Sequence, residues 1–161
     1  MLGTPIRLPA ARDLYSAGLK IVSTDRYGKA DNTDRLGHAP AGIAHAKRGW
    51  EPHTAAGGPV GAPVYVSIDD DPSHDQDKQL VAPYLRARKP VLGHRREGVY
   101  ANSKTIDSGG AGRHRVVLPA AQPRRARGVH HPAAQLHQVG IATREVAGLG
   151  EILQPQFGEW Y

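Results

Sequence analysis

The stretch Ala62-Pro63-Val64-Tyr65-Val66-Ser67-Ile68-Asp69-Asp70-Asp71-Pro72 constrains the fold more than any other, because a β-branched run there ends in three consecutive carboxylates and a proline. Successive strand residues point to opposite faces. A strand here therefore puts Val64, Val66 and Ile68 on one side and Tyr65, Ser67 and Asp69 on the other. One face is apolar, and the other is polar and ends in an acid at the C-terminal tip. That is the pattern of a parallel strand whose apolar side meets helices and whose C-terminal end carries function, as in (β/α) barrels. Asp71-Pro72 reads as a helix N-cap followed by proline in the first turn.

The flanking chain alternates in the same sense. Pro9 to Ala17 predicts a helix stopped by Gly18, and Leu19 to Ser23 predicts a strand running toward Asp25 and Tyr27. Ala41 to Ala56 is helical in pattern, with Ile43, Ala44, Ala46 and Trp50 as its apolar face and Pro52 as a kink. Ser73 to Leu92 is helical again, interrupted by Pro83 and Pro90, and Glu97 to Asn102 is a short strand with Gly98, Tyr100 and Asn102 on one face. The order αβαβαβ predicts an α/β fold with parallel strands and right-handed crossovers. Beyond Ser108 the periodicity fades; Pro132 to Val139 predicts another strand, and Gly148 to Tyr161 a short helical patch.

At 161 residues the chain suits one domain and falls short of the roughly 200–250 residues of a complete eight-fold barrel. Cysteine is absent, which excludes disulfides and thiolate chemistry. Neither a signal peptide nor a membrane span is expected from the apolar patterning. The formal charge of +6 is concentrated: residues 108–128 hold five arginines (Arg113, Arg115, Arg124, Arg125 and Arg127) and no acid. Few aromatics interleave with them, so no nucleic-acid partner is expected. His130, His131 and His137 match no zinc-ligand spacing, and no nucleotide-binding fingerprint or nucleophile elbow is present. No metal and no cofactor are expected.

Several segments together resemble one family. They are Ala17 to Ser23, Tyr27-Gly28-Lys29, Pro63 to Pro72, Ala82-Pro83-Tyr84-Leu85, Gly98-Val99-Tyr100-Ala101-Asn102, His131 to Gln138, and Ile152 to Trp160. The likeness is to the glycoside-hydrolase-like domains of actinobacterial exported and phage-related proteins, whose most specific counterpart here is the aspartate run. The resemblance implies a TIM-type barrel like that of cell-wall muramidases, a polysaccharide or peptidoglycan-type glycan as partner, and an exported or wall-associated location. It implies Asp69 and Asp71 as the paired carboxylates, with Asp70 between them. Against the family pattern, the strand carrying a Gly-Phe-Asp-Tyr-like motif precedes Met1. The fold expected is thus an incomplete (β/α) TIM-type barrel lacking its first strand, with 1–161 as a single domain and 108–128 as an atypical segment. The family's last strand, of a Gly-Val-Asp-Val-Asn type, is shortened near Gly148 to Ile152.

The family also has an aromatic Trp-Phe-x-Gln-His-Asn strand near Arg113 to Gln122, where this chain has no aromatic residue. His114 to Pro123 can be encoded as CAC CGG GTG GTT CTT CCT GCA GCA CAA CCC. One base later this reads Thr-Gly-Trp-Phe-Phe-Leu-Gln-His-Asn. Translation of Ser108 to about Arg127 outside the ancestral frame is therefore expected. The coding DNA decides it, since an aromatic strand must appear in an alternative frame.

Glycoside hydrolysis uses two carboxyl groups, one protonated as general acid and one ionised as nucleophile, base or stabiliser. Adjacent aspartates can supply both states by repelling one another. The competing reading of Asp69-Asp70-Asp71 is a helix-capping loop with solvated acids. Asp25 is a further acid candidate, placed by alternation on the inner face of its strand. Tyr27 follows it, and Tyr65, Tyr100, Asn102, His137 and Gln138 are candidates to line a sugar cleft, rings stacking on sugars and amides pairing with hydroxyls. Two functions follow: a domain that hydrolyses or binds cell-wall glycan, or a catalytically inactive, truncated relic that at most binds it.

Overall fold

A computed structural model describes residues 5–26, 28, 34–68, 70–93, 96–107, 115–118, 132–141 and 148–160, the side chains of 115–118, 138–141 and 148–150 excepted. Helix α1 (Leu8–Ser16) carries Pro9 in its first turn and ends before Gly18, whose φ of 81° supplies the left-handed residue that closes it. Strand β1 (Ser23–Asp25) begins where the sequence pattern expects a strand to end. Ile21 instead forms an isolated antiparallel bridge with Trp160. A 3₁₀ turn (Asp34–Gly37) leads into α2 (His38–Ala55). The buried face of α2 is Gly42, Ala46, Gly49 and His53, a narrow stripe of small residues, and Ile43 is left 44% exposed. The small residues allow close approach: a methyl group on Gly42 would stand 2.3 Å from the Tyr84 carbonyl oxygen.

Strand β2 (Val64–Ile68) is followed by three continuous helical segments, α3 (His74–Gln76), a π-turn (Asp77–Val81) and α4 (Ala82–Leu92). Pro83 does not break this run. Proline has no N–H for the carbonyl four residues back and its ring collides with it. The widened π-turn lies just ahead of Pro83, and His38 Nδ1 donates to the Gln79 carbonyl at 3.2 Å. The N-cap is Ser73, in a capping box with Gln76, and not Asp71. Strand β3 (Glu97–Ala101), α5 (Ser103–Asp107), β4 (Arg115–Leu118), β5 (Ala134–Ile141) and β6 (Gly148–Ile152) complete the elements.

The six strands form one sheet in the order β1-β2-β3-β4-β5-β6. The first five are parallel, as the alternation predicts, and β6 is antiparallel to β5 where a helical patch was expected. The fold class is α/β. Val66, Ile68, Val99 and Ala101 pack against Val81, Tyr84 and Leu85 of the helical layer, so the apolar face of β2 is the helix-facing one. Tyr65 points to the other side, where Gly98 leaves space for its ring. Asp25 pairs in register with Val66 and therefore shares the helix-facing side. The expectation that it faces inward is overturned: a carboxylate behind the sheet is tolerated because an arginine from α4 meets it there.

Candidate functional site

The C-terminal tips of β2 and β3 bring the acidic run and its neighbours together. Asp70 forms an ion pair with Arg35 of the 3₁₀ turn, whose side chain is 7% exposed. Burial lowers the Arg35 pKa, and the nearby Asp77 carboxylate opposes that shift. Asp71 is exposed; it accepts a hydrogen bond from Asn102 Nδ2 at 2.8 Å and lies 3.7 Å from Lys104 Nζ. Asn102 also caps α5, its Oδ1 accepting from the Thr105 N–H at 2.8 Å. Both ends of this amide are therefore engaged in holding Asp71 and the helix start. Alongside lies an open cleft of about 410 Å³ lined by Pro72, Ser73, His74, Asp77, Lys104 and Asp107. Ligand sites of α/β sheets favour this end of the strands.

Asp69 and Tyr27 lie outside the described residues, as does the Gln138 side chain. Tyr65 is fully buried, and its hydroxyl donates to the Phe157 carbonyl at 2.6 Å and lies 3.1 Å from Gln135 Oε1. It offers no ring face to a cleft, so its expected stacking role is corrected to a structural one. Tyr100 is half-buried and pairs in register with Ser67. His137, on β5, stands with Nδ1 4.0 Å from Glu151 Oε2. Sequence reasoning missed Arg35, Lys104, His74, Asp77 and Asp107, because charges on a short turn and on helix starts look like a solvated surface until the turn is folded against the strand tip. Among the described residues no cluster of three or more metal-ligating side chains occurs.

Behind the sheet sits a charged cluster that the sequence pattern did not reveal. Arg88 of α4 is fully buried and donates through Nη1 to Asp25 Oδ2 and through Nε to Glu97 Oε1, each at 3.1 Å. Its Nη1 also reaches the Tyr84 hydroxyl at 3.3 Å, and Arg48 stands 3.7 Å from Asp25 Oδ1. One fully buried guanidinium serves two carboxyls. Burial raises the pKa of Asp25 against the pull of Arg88 and Arg48, and pushes Glu97 up to about 7 against the same Arg88.

Glu97 therefore holds its proton more tightly in the folded chain than in the unfolded one. Between its ordinary value of 4.5 and about 7 the folded state carries the extra proton. This contribution to stability is full below that window and is lost as pH rises through it. Urea unfolding of the wild type and Glu97→Gln across this range checks the sign. The stability difference is expected to shift in favour of Glu97→Gln with rising pH, at up to about 1.4 kcal/mol per pH unit.

The fold agrees with comparisons to known proteins. A profile of the Rv2525c-like, glycoside hydrolase-like domain matches residues 1–154, and the chain belongs to this family. It is 53% identical over 167 aligned positions to the Mycobacterium tuberculosis (strain H37Rv) protein named "Putative peptidoglycan hydrolase Rv2525c", covering 99% of this chain and 68% of that one. Two crystal structures of the Tat-secreted M. tuberculosis protein Rv2525c, one with L-tartrate and one with HEPES, each match with a TM-score of 0.89 at 51% identity. Both alignments cover 100% of this chain and 81% of the crystallised one.

Proposed function

We propose that the chain is one domain, a glycoside-hydrolase-like module that acts on or binds cell-wall glycan of the peptidoglycan type outside the cytoplasm. The observation that carries this reading is the acidic tip of β2 beside an open cleft, with Asp70 fixed by Arg35 and Asp71 by Asn102. Family membership and the name of the mycobacterial relative support the substrate class, and that relative's Tat secretion supports export. Five sequential parallel strands also follow the order of a (β/α) barrel, and the sheet is read as an arc of one. Asp69 and Asp71 take the acid and nucleophile or stabiliser roles. Asp70 stands between them, paired with Arg35. Tyr27, Tyr100, His137 and Gln138 are assigned to the walls of the glycan site.

A specific observation favours binding without turnover as the second reading. The described carboxylates of the acidic tip are already engaged within the chain, Asp70 by Arg35 and Asp71 by Asn102 and Lys104. The test is incubation of the purified chain with insoluble peptidoglycan, following both co-sedimentation and released reducing ends. Hydrolysis that falls at least about a hundredfold in Asp69→Asn and Asp71→Asn supports the enzyme. Co-sedimentation with no reducing ends, in all three proteins, supports the binding module. Absence of both overturns the proposal.

A further inference from the structure

The segment that closes the other end of the sheet carries a feature independent of the glycan reading. After β6 the chain turns back so that Phe157 and Trp160 are buried, 8% and 3% exposed, where the strands begin. It is fastened at several points. Tyr65 donates to the Phe157 carbonyl. Ile21 and Trp160 exchange backbone hydrogen bonds of 3.1 and 2.9 Å. Finally, the Trp160 indole Nε1–H donates to Ser23 Oγ at 3.1 Å, and that hydroxyl meets Nδ1 of His53, a side chain only 3% exposed, at 2.8 Å.

The protons in this chain are fixed by chemistry. His53 Nε2 lies 3.2 Å from the Pro59 carbonyl, which can only accept, so Nε2 carries the hydrogen. Nδ1 of the neutral ring is then an acceptor, and the Ser23 hydroxyl donates to it. A single direction runs from Trp160 through Ser23 and His53 to Pro59. Protonation of His53 places a second hydrogen on Nδ1 and faces it toward the Ser23 hydroxyl hydrogen. The hydroxyl must then turn its own hydrogen aside while its oxygen accepts from both Nδ1 and the indole. The imidazolium lies buried under the strap with a hydroxyl and a carbonyl facing its two nitrogens, a charge that opening the strap would hydrate.

We infer that Ser23 and His53 form a pH-sensitive latch on the C-terminal strap, closed when His53 is neutral and loosened when it is protonated. The groups around the ring leave the histidine as the titrating member. From β1, Asp25 is engaged by Arg88 and Arg48; from α2, Glu51 is exposed; from the strap, Glu159 pairs with Lys20 at 3.2 Å. Arg96 lies over the far ring, Trp50, at 5.2 Å, and the turn 57–61 contains no titratable residue. Burial lowers the His53 pKa and the Pro59 carbonyl only partly opposes it. Stability from the latch is therefore complete above the ordinary histidine value of 6.5 and is lost as pH falls below it.

Two measurements on the whole chain test this. Long-range ¹⁵N–¹H correlation of the His53 ring at about pH 8 is expected to show the Nε2–H tautomer. Indole exchange of Trp160, corrected for intrinsic rates, is expected to lose about tenfold protection per pH unit through the His53 titration. His53→Asn, whose side-chain oxygen can accept from Ser23 but cannot be protonated, is expected to keep its protection flat over the same range. An Nδ1–H tautomer overturns the latch. So does flat protection in the wild type while circular dichroism reports a folded chain, or an equal loss in His53→Asn. If His53→Asn does not fold, the tautomer and the wild-type exchange profile still decide.

Discussion

Arg88→Met is expected to cost about 3–5 kcal/mol, the largest single-residue effect in the described chain. The substitution keeps much of the side chain's volume but removes the fully buried cation that bridges Asp25 and Glu97. Both carboxyls then sit in a low-dielectric layer between the sheet and α4, and each must take up a proton or draw in water. Against a typical domain stability of about 5–15 kcal/mol, a loss of this size brings the unfolding midpoint close to native conditions. Urea denaturation followed by the fluorescence of Trp50 and Trp160 measures it. Adding Asp25→Asn and Glu97→Gln to Arg88→Met is expected to recover more than half of the loss, because the uncompensated charge, and not the missing contact, is its source. A loss below about 1 kcal/mol would show that the acids are already neutral or hydrated.

The second large effect comes from α2. Gly42→Ala places a methyl group 2.3 Å from the Tyr84 carbonyl oxygen and 3.1 Å from Ala87 Cβ. Alanine improves helix propensity by about 1 kcal/mol. Yet a backbone carbonyl cannot swing aside, so the two helices must separate. Overpacking of this kind costs about 1–3 kcal/mol, which is expected to leave the variant less stable. Separation also draws Tyr84 and Arg88 away from Asp25, because all three belong to one hydrogen-bonded group. The losses from Gly42→Ala and Arg88→Met are thus expected to add less than fully in the double variant, which the same denaturation experiment reads.

The reach of the sequence can be judged element by element. β2 was legible because alternating Val64, Val66 and Ile68 obey a period that only a strand satisfies, and the helix-facing side confirmed it. The helix 82–92 was legible despite its prolines, but the π-turn before Pro83 was not, since nothing local distinguishes a broken helix from a widened one. Alternation alone places Asp25 on the inner face, but in register it shares the helix-facing side with Val66, and Arg88, which meets it there, lies 63 residues away in sequence. Asp71 was read both as a cap and as a site acid. The structure gives the cap to Ser73, and Asp71 stands exposed at the cleft, held by Asn102. β4 and β6 had no period of their own and were marked only by the family pattern, because short strands without alternation depend on the neighbours that pair with them.

The contact between Ile21 and Trp160 also bears on how the chain folds. Among the described residues, the strands of the sheet pair with their neighbours in sequence, so each pairing can form with only the intervening segment as its loop. The Trp160–Ser23 bond spans 137 residues, and closing that loop costs about 1 kcal/mol more in chain entropy than first joining β1 to β2. Once the intervening strands are in place the same closure is nearly free, because the sheet has already brought the two ends together. Strap docking is therefore expected to be the last event of folding and the first of unfolding. Substitutions at Ser23 or Trp160 should quicken unfolding while leaving the folding rate almost untouched.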